Sequence, residues 1–178
     1  ELDKTNHYAP ALDKIPEELA KKAKMMVVSY PLNPTCTCIE KADYEKIIAF
    51  AKKYNIAIIH DNAYSEIEYD GRTGFSFLSV PGAKEVGIEF NSLSKTYNLT
   101  GIRISFALGN KELIQKFKTV RSQFDYGTSF IVQKAAVAAL TGPQDGVRKQ
   151  WAAYEERRDA LCGGLNGIGW QVPYSEGT

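Results

Sequence analysis

Residues 25–62, MMVVSYPLNPTCTCIEKADYEKIIAFAKKYNIAIIHDN, decide how this chain folds. Met25 to Tyr30 is a short apolar run after the charged, helix-like stretch Pro16 to Lys24, and it reads as a buried parallel strand stopped by Pro31. A loop, Pro31 to Thr37, follows. From Ala42 to Tyr54, Ile47, Ile48, Phe50 and Ala51 fall on one side against Lys46, Lys52 and Lys53, the spacing of an amphipathic helix packed on a sheet. Asn55 is a helix stop. Ile56 to Ile59 is then a second apolar run, opening into His60, Asp61 and Asn62. Strand, helix and strand in that order are the signature of an α/β fold.

The same alternation continues downstream. Val86 to Phe90 is a third strand, and Ile102 to Leu108 a fourth, reached through the polar segment Asn91 to Gly101. Gly109 and Asn110 lead into a Lys-rich helix, Lys111 to Arg121. Phe130 to Leu140 is Ala-rich and helical, Gly142 and Pro143 break it, Gly146 to Leu161 is a long charged helix, and Trp170 to Pro173 starts another strand. The expected architecture is α/β, with a mostly parallel sheet flanked by helices. A boundary is expected near the start of the long helix, giving a larger unit over 1–145 and, over 146–178, a connecting helix and the start of a smaller domain. In such sheets ligands bind at the carboxyl ends of the strands, so the polar loops there are searched first.

With 178 residues, 44% hydrophobic and 24% charged, the chain has an ordinary globular composition. Its 22 Lys and Arg balance 21 Asp and Glu to a net charge of +1, mixed along the whole length, which argues against a nucleic-acid partner. The apolar runs fall well short of the roughly 20 residues that cross a bilayer, so no membrane partner is expected. The start, Glu1 to Asn6, has neither a basic region nor an apolar core nor an initiator Met, and reads as processed or truncated. Cys36, Cys38 and Cys162 are too few and too odd for a disulfide framework; they are expected to be free thiols in a reducing, cytoplasmic setting. Cys36-Thr37-Cys38 lacks the further ligands of a zinc site, since only His7 and His60 exist elsewhere, and no metal is expected.

The loops carry the chemistry. In Asn91-Ser-Leu-Ser-Lys-Thr96, followed by Gly101-Ile-Arg103, Ser92 and Ser94 can bond a phosphate and Arg103 can pair with it. Lys95, set between hydroxyl residues after a strand, has the context of an imine-forming nucleophile, whereas most lysines are solvated surface residues. Asp61 follows an apolar strand directly. A carboxylate there can hold a pyridinium nitrogen protonated, although it can equally cap a turn, and Asn33 and Tyr64 can hydrogen-bond a phenolic oxygen. His60 reads as a packed strand-end residue rather than a catalytic base.

Tyr30-Pro-Leu-Asn-Pro-Thr-Cys36, Ile59-His-Asp-Asn-Ala-Tyr64 and Ser92-Leu-Ser-Lys-Thr-Tyr-Asn-Leu-Thr-Gly-Ile-Arg103, in this order and at these spacings, resemble the class I/II aminotransferases, pyridoxal-phosphate enzymes of fold type I. The stretch from Asp61 most resembles bacterial chains labelled LL-diaminopimelate, aspartate or alanine aminotransferase, without choosing among them. The resemblance implies part of the large cofactor-binding domain, with pyridoxal 5'-phosphate as cofactor. It implies Lys95 as the residue that attaches the cofactor and moves the proton, and Asp61 as the partner of the pyridine nitrogen. Asn33 and Tyr64 would bond the ring hydroxyl oxygen, and Ser92 and Arg103 would grip the phosphate with help from Ser94. The implied substrates are an amino acid and a 2-oxo acid, and the implied assembly is a homodimer in which Arg121 to Ser129, including Tyr126, faces the partner.

Two positions depart from the family pattern: Cys36 where Gly is usual, and Ser105 where Gly is common. If Cys36 needs a positive φ, its Cβ costs about 1 kcal/mol. The resemblance also covers only about half of the family's length. An upstream helix N-terminus for the phosphate, a stacking aromatic residue and a downstream Arg for the substrate carboxylate would lie outside these residues, so the chain reads as a fragment that transaminates poorly alone. A carbon-sulfur lyase on the same scaffold and a pyridoxal-phosphate-binding regulator behind a winged helix are the alternatives. A non-catalytic remnant would have lost its nucleophile, and Lys95 is present.

Overall fold

A computed structural model describes residues 2–178. Its elements in chain order are α1 (Glu17–Lys22), β1 (Met25–Ser29), α2 (Lys41–Tyr54), β2 (Ala57–Asn62), α3 (Ala83–Val86), β3 (Gly87–Ser92), α4 (Leu93–Thr96), β4 (Ser105–Gly109), α5 (Lys111–Arg121), α6 (Phe130–Thr141) and α7 (Asp145–Gly167). The four strands form one sheet in the order β1-β2-β3-β4; β1, β2 and β3 run parallel, and β4 runs antiparallel to β3. The α/β reading of the sequence therefore holds, and the sheet is mostly parallel.

One face of the sheet packs on α2. Val28, Tyr30, Tyr44, Ile47, Ile48, Ala51, Ile58, Phe77 and Val80 form the core there. The helix is sharply bounded. Glu40 and Asp43 form a reciprocal capping box at its start, and Asn55 closes its end in the left-handed region at φ 55°, with its N–H on the Ala51 carbonyl. Phe50, placed on the apolar side by the sequence pattern, is only half-buried and stacks on Tyr54 at 4.8 Å. On the other side of the sheet, Phe90 meets Phe117 of α5 at 5.1 Å.

Three expectations are corrected. β1 pairs in parallel but is not buried on both faces: it is an edge strand, with Met25 63% and Val27 69% exposed while Val28 lies in the core. The fourth strand does not begin at Ile102. Thr100–Ile102 is wound into a 3-10 turn and Arg103 sits in the left-handed region at φ 53°, so the chain reverses and β4 starts only at Ser105. Its amino end, rather than its carboxyl end, consequently lies beside the site, with Ser105 paired to Ser92. Gly109 ends β4 at φ 132°, where a Cβ would come within 2.5 Å of the Gly87 carbonyl oxygen. Finally, Trp170 to Pro173 forms no strand, because the Asn166 side chain takes both backbone groups of Val172, accepting from its N–H at 2.8 Å and donating to its carbonyl at 3.0 Å. Among the described residues no helix is long and apolar enough to cross a membrane.

Candidate active site

Successive residues on a strand point to opposite faces. In β2 this sends His60 into the core and turns Asp61 out to solvent at the strand's carboxyl end. The neighbouring strand places Phe90 opposite Asp61 and Asn91 opposite Asn62. β3 then runs straight into the single turn of α4. Ser92 caps that turn, its Oγ accepting the Ser94 N–H at 3.2 Å, and Lys95 stands on the turn itself. Thr100 Oγ1 donates to the Ser94 carbonyl at 3.2 Å, and an Arg103 guanidinium nitrogen donates to the Thr100 carbonyl at 3.0 Å. Asp61, Ser92, Ser94, Lys95, Thr100 and Arg103 thereby share the lining of one cavity of about 340 Å³.

Asn33 and Tyr64 lie outside that lining. Asn33 Nδ2 donates to Tyr64 Oη at 3.2 Å, so the two side chains form a unit of their own, and Lys95 Nζ sits 5.5 Å from the centroid of the Tyr64 ring. Tyr64 belongs to a second cavity of about 500 Å³, which shares Ser94, Lys95 and Thr100 with the first. Lys95 therefore stands between the two spaces. Of the seven residues singled out in the sequence, five line the first cavity and the remaining pair reaches it through Lys95.

The loop before α2 carries Asn33 on a constrained backbone. Cys36 adopts φ 58°, the left-handed conformation that glycine favours, and its N–H bonds the Leu32 carbonyl while its sulfur accepts from Thr178 Oγ1 at 3.2 Å. All three cysteines are free thiols. Arg103 forms no ion pair among the described residues, which leaves its guanidinium available to an anion. Chemically, the first cavity offers an amine, a carboxylate, a guanidinium and the hydroxyls of Ser92, Ser94, Thr100 and Ser105 within one small volume.

Comparison with known proteins gives this donor set a family. The family model described as aminotransferase class I and II matches residues 2–178. The chain belongs to that family. Among its relatives, the LL-diaminopimelate aminotransferase of Moorella thermoacetica is 44% identical over 177 residues, covering 99% of this chain and 45% of its own length. The glutamate-pyruvate aminotransferase AlaC of Escherichia coli is 45% identical over 161 residues, covering 90% of this chain and 39% of its own. Substrate-bound BacF from Bacillus subtilis superposes with a TM-score of 0.93 at 39% identity, over 99% of this chain and 45% of that one. The chain thus spans less than half the length of each of these relatives.

Class I and II aminotransferases use pyridoxal phosphate, and the first cavity fits that group in kind: an amine for its aldehyde, a carboxylate for its ring nitrogen, and a guanidinium with two hydroxyls for its phosphate. Sequence reasoning gave no role to two residues that hold this arrangement. Thr100 ties Arg103 to Ser94, and its place between Asn98 and Gly101 in the quoted segment was the available signal. Gln150, on α7, donates to the Lys95 carbonyl at 3.1 Å across 55 positions of sequence, which no local pattern announces.

Proposed function

We propose that this chain is the cofactor-gripping part of a pyridoxal-phosphate-dependent aminotransferase, in which an amino group passes between an amino acid and a 2-oxo acid. The observation that carries the reading is the single cavity gathering Lys95 with Asp61, Ser92, Ser94 and Arg103. When bound there, pyridoxal phosphate supplies an electron sink for the charge left on the substrate's α-carbon. Lys95 Nζ is the amine that attaches the cofactor and then carries the proton to and from the substrate. Asp61 holds a proton on the ring nitrogen by its charge, the Asn33 and Tyr64 pair bonds the ring hydroxyl oxygen, and Arg103 with Ser92 and Ser94 fixes the phosphate.

The relatives carry different substrate names, LL-diaminopimelate for one and glutamate and pyruvate for another, so the class of reaction is proposed and the individual amino acid is not. Residues 1–145 are read as the cofactor-binding unit and 146–178 as the connection to a second one. A homodimer is proposed from the exposed apolar side chains Phe124, Tyr126, Phe130 and Ile131, and a cytoplasmic setting from the three free thiols. The deciding experiment is incubation of the protein with pyridoxal phosphate, borohydride reduction and an intact mass spectrum. One added pyridoxyl group is expected on the wild type and none on Lys95→Ala; an adduct that persists in the variant refutes the assignment of Lys95.

A further inference from the structure

Directly beneath the site lies a group of buried ionisable side chains to which the proposed chemistry gives no part. His60, 0% exposed, and Glu89, 3% exposed, are register partners on β2 and β3. Glu89 Oε2 accepts from His60 Nδ1 at 3.0 Å and from the Phe77 N–H at 2.8 Å, and Oε1 accepts from Ser76 Oγ at 2.8 Å. On its other side the His60 ring meets Tyr44 Oη of α2 at 2.8 Å through Nε2. Burial opposes the charge on Glu89, but His60, Asn62 and Ser76 together outweigh it and hold the carboxyl below its usual range. The chain Tyr44-His60-Glu89-Ser76 therefore joins a helix, two strands and the loop after β2 by directional bonds.

A buried hydrogen-bonded chain of this kind adds little to stability, since well-packed apolar residues of similar volume do as well or better. Its use lies in specificity. The apolar packing of Ile58 on α2 tolerates small slides, whereas a one-residue slip of β2 would turn Asp61 into the core and His60 out. We propose that His60, Glu89 and Tyr44 are positioning residues for the cofactor site: their hydrogen-bonded chain fixes β2 against β3 one residue before Asp61 and so sets Asp61 against the end of β3, which carries Ser92 and leads directly into the turn that carries Lys95. The inference rests on the proposed function, because it concerns the place at which that function puts the ring nitrogen.

The test compares Glu89→Gln and Tyr44→Phe with a control, Ile58→Val, which loosens the same core without touching the chain of bonds. Three quantities are read on each purified protein: melting temperature, pyridoxal phosphate affinity, and the pH midpoint of the bound cofactor's visible absorption band. Positioning predicts that Glu89→Gln weakens affinity about tenfold and moves the midpoint by about half a unit or more, with a smaller displacement in the same direction for Tyr44→Phe. The control should lose melting temperature and leave the midpoint in place. Variants that lose melting temperature yet keep the control's midpoint and affinity overturn the inference. Should Glu89→Gln fail to fold, Tyr44→Phe decides, as it removes one hydroxyl and keeps the ring packed on Phe75 and Phe77. Uptake by the wild type with control-like variants overturns this inference alone, while wild-type protein that takes up no pyridoxal phosphate overturns the proposed function and this inference together.

Discussion

Asp61 and Cys36 show how much a single side chain is asked to do. Asp61 sits at the carboxyl end of β2, exposed and lining the cavity that holds Lys95. Asp61→Ala should leave covalent attachment of pyridoxal phosphate intact and, in a full-length enzyme containing this segment, lower turnover about a hundredfold, because the charge opposite the ring nitrogen is lost; near-normal turnover of that variant in steady-state assays would count against the role. Cys36 occupies the left-handed region at φ 58°. Glycine adopts that conformation without strain, whereas a Cβ costs about 1 kcal/mol or more. Cys36→Gly should therefore be more stable than Cys36→Ala by about 1 kcal/mol in urea unfolding, and equal midpoints for the two would show that the loop relaxes out of this conformation.

At the scale of elements, α7 ties the Lys95 turn, the loop after β2 and the segment that follows α7 together. Its Gln150 holds the Lys95 carbonyl, its Glu155 accepts the Asp70 N–H at 2.6 Å, and its Arg158 donates to both Asp70 oxygens at 2.7 and 2.8 Å and to the Ser175 carbonyl at 2.9 Å. The Arg158 guanidinium also lies over the Tyr69 ring at 4.8 Å. In this pair the Arg side chain is 7% exposed and the Asp side chain 60%, so the two halves are not equivalent. Arg158→Ala removes buried packing and leaves the Ser175 carbonyl unmet, and should lower stability by about 2 kcal/mol in chemical denaturation. Asp70→Asn should cost less, since the carboxylate it removes is 60% exposed and Arg158 keeps Asp159 and the Ser175 carbonyl as partners. The opposite ranking would mean that the charge pair, rather than the packing, anchors the helix.

For the whole molecule, the buried Glu89 links stability to pH. Its carboxyl titrates lower in the folded chain than the ordinary 4.5. The sign follows from linkage: the unfolded chain binds that proton at higher pH than the folded one, so the stabilisation is complete above the unfolded value and is lost as pH falls through the folded value. Urea midpoints measured downward from pH 6 should fall on the acid side, and the fall should be shallower in Glu89→Gln than in the wild type. Parallel acid limbs would show that other carboxylates carry the effect. Glu68 works in the reverse sense: burial raises its carboxyl above the usual range, so its contribution favours the fold at low pH and is lost as pH rises through that range.

Local patterns announced much of this chain. The apolar runs at Met25 and Ile56, the helix between them and its stop at Asn55 follow from periodicity and from the conformational freedom of one residue type, both of which act over a few positions. The donor set Asp61, Ser92, Ser94, Lys95 and Arg103 was legible for the same reason: strand ends and the loops after them lie close in sequence to the chemistry they hold. Tertiary structure alone decided that β1 is an edge with Met25 and Val27 open, that the chain turns back at Arg103 to make β4 antiparallel, and that residues 170–173 give their backbone bonds to Asn166 instead of a strand. It also decided that Gln150 supports Lys95 and that His60, Glu89 and Tyr44 meet beneath Asp61. These arrangements depend on hydrogen-bond partners far apart in sequence. Which distant groups come within three ångströms of one another is set by how the layers pack, and local periodicity carries no record of it.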